Sequence, residues 1–399
     1  MSVLFLSVLV LVLGVMAFFI ARHRVLASVA GDGRRLHSLP SSYGWYAVIL
    51  TVLPAFVFLA IWEATRTTMG GSAPVLRILF VSGVALLGLV GGLRNCHPGF
   101  RARNYVERVI LGLLILASTI AVLTTVGIVL SMLSETVRFS TMYPLTDFLF
   151  GLVWQPSFHG GSELGLIPLL WGTLYITLVA MLVAVPIGIF TAIYLAEYAT
   201  PKMRSVVKPL IEVIAGIPTV VFGLFALVTV GPFLRDYLAQ PTGLGSSGSS
   251  VMTAGIVIGI LNIPFISSLA DDIINAVPQS LRDGSYGLGA TQSETIKQVI
   301  LPAALPGIMG AVLLAVSRAI GETMIVTLGA GASARLDLNP FEAMTTITVK
   351  IVSQLTGDTE FSSPETLVAF SLGMTLFVLT LALNVLALWI VRRYREQYE

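Results

Sequence analysis

Long apolar stretches alternate with short polar stretches along the whole chain. A helix rises about 1.5 Å per residue, so about 20 consecutive apolar residues cross a hydrocarbon core of about 30 Å. Nine stretches meet or approach this length: Val3–Ile20, Tyr46–Trp62, Val75–Leu93, Val109–Ser131, Pro168–Ala196, Pro209–Val230, Val251–Ala270, Gly307–Leu328 and Thr366–Val391. The pattern predicts an all-α integral membrane protein with about nine transmembrane helices.

Composition supports the same class of protein. Hydrophobic residues make up 56% of the 399 residues and charged residues only 11%, whereas soluble proteins average about 25% charged residues. The single cysteine, Cys96, excludes an internal disulfide. The first span follows no basic leader and precedes no small-residue cleavage site, so we expect it to be retained as a helix.

The positions of the lysines and arginines indicate how the spans are oriented. If the N-terminus lies outside, 16 of the 23 basic residues fall in inside segments and six in outside segments. Those six are Arg66, Arg77, Arg138, Arg235, Arg335 and Lys350. Cytoplasmic loops carry an excess of Lys and Arg. The distribution predicts an external N-terminus and a cytoplasmic C-terminus, with residues 271–306 in a cytoplasmic loop.

A basic loop with a proline marks the best domain boundary. Residues Arg94–Arg108 contain Pro98 and separate three N-terminal spans from six later ones. We therefore expect an N-terminal extension with three transmembrane helices, residues 1–105, and a transmembrane domain, residues 106–399.

The loop at 271–306 is rich in turn residues. Pro278 can open a helical turn, because its missing N–H would be unpaired there in any case. Gly287 and Gly289 permit the backbone reversal that follows. The loop therefore begins with one short helix and a turn.

A capping box announces a second short helix in this loop. Thr291 precedes Glu294 by three residues, so the threonine hydroxyl can accept from the Glu294 amide while the carboxylate reaches back. We expect this helix to end at Leu301-Pro302.

The eighth span carries two charged residues. Gly307–Leu328 has 22 residues, with Arg318 near its middle and Glu322 one turn further on. An arginine at that depth costs about 3 kcal/mol on insertion scales, so it should face a partner, the bundle interior or a water-filled path. Small residues recur at every fourth position and would let another helix approach closely. They are Gly307, Ala311, Ala315 and Ala319.

The other polar residues indicate no nucleotide, metal or catalytic site. The loop contains no His, Cys or Walker-type glycine cradle, so ATP must be bound by another chain. The histidines, which lack metal-ligand spacing, are His23, His37, His97 and His159. We expect neither a metal site nor a catalytic site. Asp271 and Asp272 fit a solvated helix end, and apolar spacing in Asn339–Leu355 suggests a segment on the membrane surface.

The loop resembles the cytoplasmic "EAA" loop of ABC-importer permeases. The offsets from Asp283 to Gly289 and to Leu301-Pro302 match that pattern, although Asp283, Gly284 and Ser285 replace Glu-Ala-Ala. The sequences Gly287–Thr291 and Ser317–Met324 are similar to phosphate-specific permeases, and Gly-Glu-Thr-Met is typical of the C-type subunit. Further similarity covers roughly Leu164–Tyr394, and Ser42–Tyr46 with Pro54 resembles the N-terminal extension of some C-type subunits.

The resemblance implies a fold, a function and partners. The fold would be a six-helix type I ABC-importer permease core after a three-helix extension. The function would be channel formation for a phosphate importer of the bacterial inner membrane, by alternating access, without enzymatic activity or a cofactor of its own. The expected partners are an A-type permease subunit forming a heterodimer, an ATP-binding cassette ATPase dimer with its ATP, a periplasmic phosphate-binding protein and the lipid bilayer, but no nucleic acid. A permease for molybdate or sulfate and an intramembrane enzyme remain as alternatives.

The resemblance also implies two sets of site residues. The residues that would couple to the ATPase are Asp283, Gly284, Ser285, Gly289, Ala290, Thr291, Glu294, Leu301 and Pro302. The residues that would line the substrate path are Ser317, Arg318, Glu322 and Thr323.

Arg318 and Glu322 each allow two interpretations. Arg318 could pair with a carboxylate in the bundle, or offer its five-donor guanidinium to an oxyanion. Glu322 could neutralise Arg318 between transport events, or accept a hydrogen bond from a protonated phosphate oxygen. Because sulfate has no proton to donate near neutral pH, such an acceptor would disfavour sulfate.

Overall fold

The computed structural model describes residues 3–31, 33–65, 74–157, 161–357 and 363–395. The α-helices are α1 (Val3–Ser28), α2 (Pro40–Thr65), α3 (Pro74–Asn95), α4 (Ala102–Met142), α5 (Leu145–Phe150), α6 (Ile167–Ile193), α7 (Pro201–Ala215), α8 (Thr219–Phe225), α9 (Gly231–Leu234), α10 (Val251–Ala276), α11 (Gln279–Gly287), α12 (Gln292–Thr295), α13 (Leu301–Ile320), α14 (Met324–Gly329), α15 (Ile347–Gly357) and α16 (Pro364–Arg395). Strands β1 (Trp154–Gln155) and β2 (Glu163–Leu164) pair antiparallel.

Several helices continue through π-helical turns. The turns are Tyr194–Tyr198 after α6, Ala226–Val230 and Arg235–Ala239 around α9, and Ile296–Ile300 between α12 and α13. Within the described ranges, nine helices are long and apolar enough to span a membrane: Val3–Ser28, Pro40–Thr65, Val75–Asn95, Ala102–Met142, Ile167–Tyr198, Thr219–Ala239, Val251–Ala276, Gln292–Ile320 and Pro364–Arg393. The predicted all-α class with nine spans is confirmed.

The predicted sixth span, Pro209–Val230, has the wrong bounds. Helix α7 ends at Ala215, and a new helix begins at Thr219 with Pro218 as its N-cap. Thr200 caps α7, because its hydroxyl oxygen accepts from the Met203 amide at 3.3 Å. Helix α7 contains basic as well as apolar residues and none of them is buried, so it precedes the span as a separate helix.

The chain forms two compact units, residues 1–126 and 127–399. In the first unit, α1 and α3 pack against α2. Gly88 of α3 lies so close to α2 that a Cβ there would meet the Leu50 carbonyl oxygen. The Tyr43 hydroxyl donates to the carbonyl oxygens of Pro98 and Phe100, which fixes the turn after α3.

In the second unit, α10 is the central helix. It is the most buried of the nine spans and packs against α6, α7 and α13. Glycines on α10 permit the close approach to α6, because a Cβ on Gly255 would lie 2.5 Å from Val179 and one on Gly259 would lie 2.9 Å from Val183. Helix α13 also packs against α16.

The segment predicted to lie on the membrane surface, Asn339–Leu355, packs instead into the second unit. Residues from Met344 to Val349 are buried. The Met344 amide donates to Ala330 at 3.1 Å, and the Ile347 amide donates to the Thr173 hydroxyl at 3.1 Å. The prediction failed because the apolar spacing reflects burial against protein, which a lipid surface would also favour.

Candidate functional site

The predicted coupling loop forms a compact helix–turn–helix. Helix α11 has Pro278 as its N-cap, and Asp283, Gly284 and Ser285 lie inside it. The Ser285 hydroxyl lies 2.8 Å from that of Thr295, which joins α11 to the following helix. The outer side of α11 and the turn is exposed, and Leu288 is 91% exposed. An apolar side chain that projects this far is available for contact with another surface.

The turn after α11 depends on one glycine. Gly289 has φ +87°, a conformation that residues with a Cβ rarely adopt. The Ala290 amide then donates to the Ser285 carbonyl oxygen at 3.2 Å, which closes the turn. Gly287, by contrast, is the last residue of α11. The predicted reversal therefore depends on Gly289.

The predicted capping box is present. The Thr291 hydroxyl accepts from the Glu294 amide at 3.4 Å, and the Thr291 amide donates to the Glu294 carboxylate at 2.8 Å. The helix does not end at Leu301-Pro302 as predicted, but continues unbroken to Ile320. The π turn Ile296–Ile300 ends two residues before Pro302, and this change of hydrogen-bond pattern accommodates a residue without an N–H.

A buried arginine, which the sequence analysis counted only as a positive charge, anchors α11. One Arg282 nitrogen donates to the Glu197 carboxylate at 3.0 Å and to the Ile274 carbonyl at 2.8 Å, and the other donates to Val277 at 2.6 Å. The Arg282 side chain is only 11% exposed and the Glu197 side chain only 8%. In addition, the Gln292 side chain donates to the Glu197 carbonyl at 2.7 Å. Both halves of the loop are thus tied to the end of α6.

Asp271 was predicted to lie at a solvated helix end, and this is wrong. Its side chain is 1% exposed and receives hydrogen bonds from Arg204 at 2.9 Å and Lys208 at 2.8 Å. Asp272 fits the prediction, since its side chain is 66% exposed. The hydrogen bond to Asp271 raises the pKa of the Lys208 ammonium group above its ordinary value. The cluster joins α7 to α10.

Arg318 lies in the last turn of α13, and not near the middle of a span as predicted. The helix ends at Ile320 and a separate short helix, α14, begins at Met324. The Arg318 guanidinium carbon lies 5.4 Å from the centroid of the Phe265 ring on α10, within range of a cation–π interaction. Among the residues that the structure describes, it has no hydrogen-bond acceptor and no carboxylate partner.

Glu322 caps the next helix and does not pair with Arg318. Its Oε1 atom accepts from the amides of Met324 at 3.1 Å and Ile325 at 3.4 Å, at the start of α14. Its backbone carbonyl accepts from the Thr348 hydroxyl at 3.0 Å. Thr323 follows it in the chain, with its hydroxyl 3.4 Å from the Gly321 carbonyl oxygen. The break at Gly321 is therefore a capped junction between two helices.

The structure separates the two predicted sets of site residues. Ser317, Arg318, Glu322 and Thr323 lie around the junction of α13 and α14, whereas the predicted coupling residues lie around the opposite end of the helix Gln292–Ile320. No group of three metal-ligating side chains occurs in the described part of the chain. His159 and Arg66 lie outside the described residues.

Two family profiles match the sequence. One, for the binding-protein-dependent transport system inner membrane component, matches residues 184–396. The other, for a phosphate ATP-binding cassette transporter, matches residues 7–73.

Curated relatives match more than half of the chain over most of their own length. A probable ABC transporter permease, YqgH of Bacillus subtilis, is 35% identical over 59% of this chain and 74% of the relative. The phosphate transport system permease PstC of Mesorhizobium japonicum is 32% identical over 62% of this chain and 80% of the relative. PstC 1 of Mycobacterium tuberculosis is 34% identical over 58% and 74%.

A solved structure has the same fold. The bacterial alginate ABC transporter, in complex with an alginate-bound periplasmic protein, contains a chain that matches with a TM-score of 0.50 and 17% identity. The match covers 74% of this chain and 99% of that one. At this identity the likeness concerns the fold alone.

Proposed function

The chain belongs to the family of binding-protein-dependent transport system inner membrane components, and on this basis we propose that it is the permease subunit of an ATP-driven phosphate importer. Two relatives, at 32% and 34% identity, are phosphate transport permeases. They are permease subunits and not enzymes, so ATP hydrolysis belongs to a separate subunit. The single observation that supports an anion as the transported substrate is Arg318, a half-buried cation without an anionic partner among the described residues.

Arg318 has the properties of an anion-binding group. Its guanidinium is permanently charged and offers several donors in one plane, which suits the oxygens of a tetrahedral anion. The guanidinium carbon lies over the Phe265 ring, which carries no oxygen or nitrogen acceptor, so the donors remain available to an anion. Partial burial strengthens the attraction for an anion, because the effective dielectric constant is lower than in water. Ser317 and Thr323 place hydroxyl groups on either side of this position in the chain.

In this proposal Glu322 stabilises the backbone at the start of α14 and does not bind the anion directly. Because one carboxylate oxygen holds the first amides of α14, the side chain fixes the junction beside Arg318. Glu322 therefore positions the path and need not neutralise Arg318.

The helix–turn–helix around Gly289 is proposed as the surface on which the ATPase docks. The supporting features are the exposed Leu288, the rigid Gly289 turn and the buried Arg282 anchor. Movement of a docked ATPase would reach α6 through Glu197 and the spanning helix through the Thr291 cap. Rocking of these helices would open the path alternately to the two sides of the membrane.

The remaining features of the assembly are also proposals. We place the protein in a bacterial inner membrane with its N-terminus outside and its C-terminus in the cytoplasm, following the excess of inside Lys and Arg. We propose a heterodimer with an A-type permease subunit, an ATPase dimer that carries the ATP, and a periplasmic phosphate-binding protein. Residues 1–105 would form an extension outside the permease core.

Uptake of labelled phosphate by cells expressing the complete transporter tests the function. Arg318→Gln should reduce the maximal rate at least about tenfold, because a charge-assisted hydrogen bond contributes about 1.5–3 kcal/mol. The amount of the Arg318→Gln protein in the membrane should not fall, since removing a charge also removes an insertion cost. Arg318→Lys should be intermediate, because lysine keeps the charge but loses the planar fork.

The matched control is Arg138→Gln. Arg138 is exposed and pairs weakly with Glu135 at 3.8 Å, so its loss should leave uptake unchanged. Normal phosphate uptake by an abundant Arg318→Gln protein would contradict the assignment of the path.

A further inference from the structure

Asn262, in the middle of α10, has a buried oxygen without a partner. The residue is 1% exposed, and its Nδ2 atom donates to the Ile258 carbonyl at 3.0 Å. Its Oδ1 atom accepts no hydrogen bond from any described group. An unpaired buried polar atom costs about 1–3 kcal/mol, so its presence needs an explanation.

A local structural role does not explain this side chain. Pro264, two residues further on, has no N–H and leaves the Ile260 carbonyl without its helical donor. The Asn262 side chain bonds instead to Ile258, whose carbonyl already faces the Asn262 amide in the regular helical pattern. The asparagine therefore does not repair the break that the proline causes. A leucine, which has the same number of side-chain heavy atoms and the same branching, would avoid the cost of the unpaired oxygen.

Contacts between α10 and the chain of α13 and α14 place Asn262 level with the anion site. The two run antiparallel, and matched positions are Ile273 with Gly307, Ile266 with Ala315, Phe265 with Arg318, and Ala254 with Gly329. Position 262 lies between Phe265, which is level with Arg318, and Ala254, which is level with Gly329. In an antiparallel pair it is therefore level with residues 319–322. Asn262 is thus at the level of the junction that Arg318 and Glu322 flank.

The two groups at this level have complementary capacities. The Arg318 guanidinium can only donate hydrogen bonds, and the free Asn262 carbonyl oxygen can only accept them. An oxyanion with a protonated oxygen can use both, because its bare oxygens accept and its O–H donates. Phosphate carries at least one proton at neutral pH, whereas sulfate carries none. The amide is also neutral, so it offers an acceptor without the repulsion that a carboxylate exerts on an anion.

We propose that Asn262 is a specificity-determining residue of the anion path, whose carbonyl oxygen accepts a hydrogen bond from the protonated oxygen of the anion held by Arg318. The inference rests on the proposed transport function and extends it to the protonation state of the substrate. Because Oδ1 is sealed from solvent in this conformation, the contact forms in the conformation in which α10 and α13 have separated at this level.

The test uses the complete transporter reconstituted in vesicles with its binding protein and ATP. Asn262→Leu should lower the maximal rate of phosphate import by about 10- to 150-fold, the equivalent of a lost hydrogen bond to a charged group of about 1.5–3 kcal/mol. The concentration for half-maximal import should not change, because the binding protein captures the anion. Removal of the unpaired buried oxygen stabilises the fold and the larger leucine side chain opposes this by overpacking, so import is expressed per folded molecule.

Two further variants keep the test decisive. Asn262→Thr retains an oxygen acceptor and should import faster than Asn262→Leu, whatever its effect on stability. Thr177→Val replaces another buried polar group, whose hydroxyl bonds to Thr173 within α6, and should import at the normal rate. Arsenate, which is protonated like phosphate, should be slowed by the same factor in Asn262→Leu.

The outcomes separate the inference from the function on which it rests. If the unaltered complex imports no phosphate, the proposed function fails. If it imports phosphate and Asn262→Leu has a normal maximal rate per molecule, the inference is overturned and the function stands. A loss of uptake that only follows a loss of protein, with Asn262→Thr no better than Asn262→Leu, would assign Asn262 a structural role and also overturn the inference.

Discussion

Replacing Arg282 by methionine should loosen the helix–turn–helix around Gly289 while leaving the rest of the unit folded. The substitution leaves the Glu197 carboxylate, 8% exposed, without its cation. It also removes the donors that satisfy the Ile274 and Val277 carbonyls. Breaking a buried pair by removing one partner costs about 3–5 kcal/mol, because the remaining charge is buried and uncompensated.

The double replacement of Arg282 and Glu197 by methionine should recover much of this loss. An apolar pair of similar volume carries no uncompensated charge and is often neutral relative to a buried ion pair. The hydrogen bond from Gln292 to residue 197 should survive, because it uses the backbone carbonyl. The control is Arg335→Met, which breaks a partly exposed pair with Glu342 and should cost no more than about 1 kcal/mol.

Hydrogen exchange of the amides in residues 279–290 measures the effect directly. A loss of about 3 kcal/mol from the local opening free energy speeds exchange by about two orders of magnitude. The purified ATPase should also bind the Arg282→Met protein less tightly. Exchange within a factor of about three of the unaltered protein, or a double variant that exchanges faster than Arg282→Met, would refute the reasoning.

Three other outcomes follow from the geometry. Gly289→Val should abolish ATPase association, because φ +87° costs a β-branched residue about 1–3 kcal/mol, whereas Gly287→Ala, in a helix with open space around it, should be tolerated in the same pull-down assay. Asp271→Asn should lower the melting temperature by several degrees, because two cations lose a buried partner, while Asp272→Asn should change it little. A cytoplasm-dependent reporter should be active at the C-terminus and silent within residues 241–250, and the reverse pattern would overturn the predicted orientation.

The sequence predicted those structural features that depend only on residues close together in the chain. The capping box at Thr291 and the positive φ of Gly289 each involve residues within about five positions, and both are present. The lengths of the apolar stretches predicted nine spans for the same reason, since whether a helix can span a membrane depends on the length and composition of that stretch alone. These features are fixed by propensity and steric limits that act over one or two helical turns.

The sequence could not predict features that depend on distant partners. Asp271 is buried because Arg204 and Lys208 reach it from another helix, more than sixty residues earlier in the chain. The end of α13 was also missed, because an apolar run from Gly307 to Leu328 conceals the helix break at Gly321. Thr200-Pro201 was the available signal for α7, since a threonine before a proline is a common helix start.

In the proposed transport cycle, the unbroken helix Gln292–Ile320 would act as a mechanical lever. Its 29 residues give it a length of about 43 Å at about 1.5 Å per residue. A tilt of about 5° around one end therefore displaces the other end by about 4 Å, more than the length of a hydrogen bond of about 3 Å. The π turn at Ile296–Ile300 lies near the capped end, and Arg318 lies at the other. Rotations too small to alter the proposed docking surface would be amplified into displacements that open or close contacts around the Arg318 guanidinium.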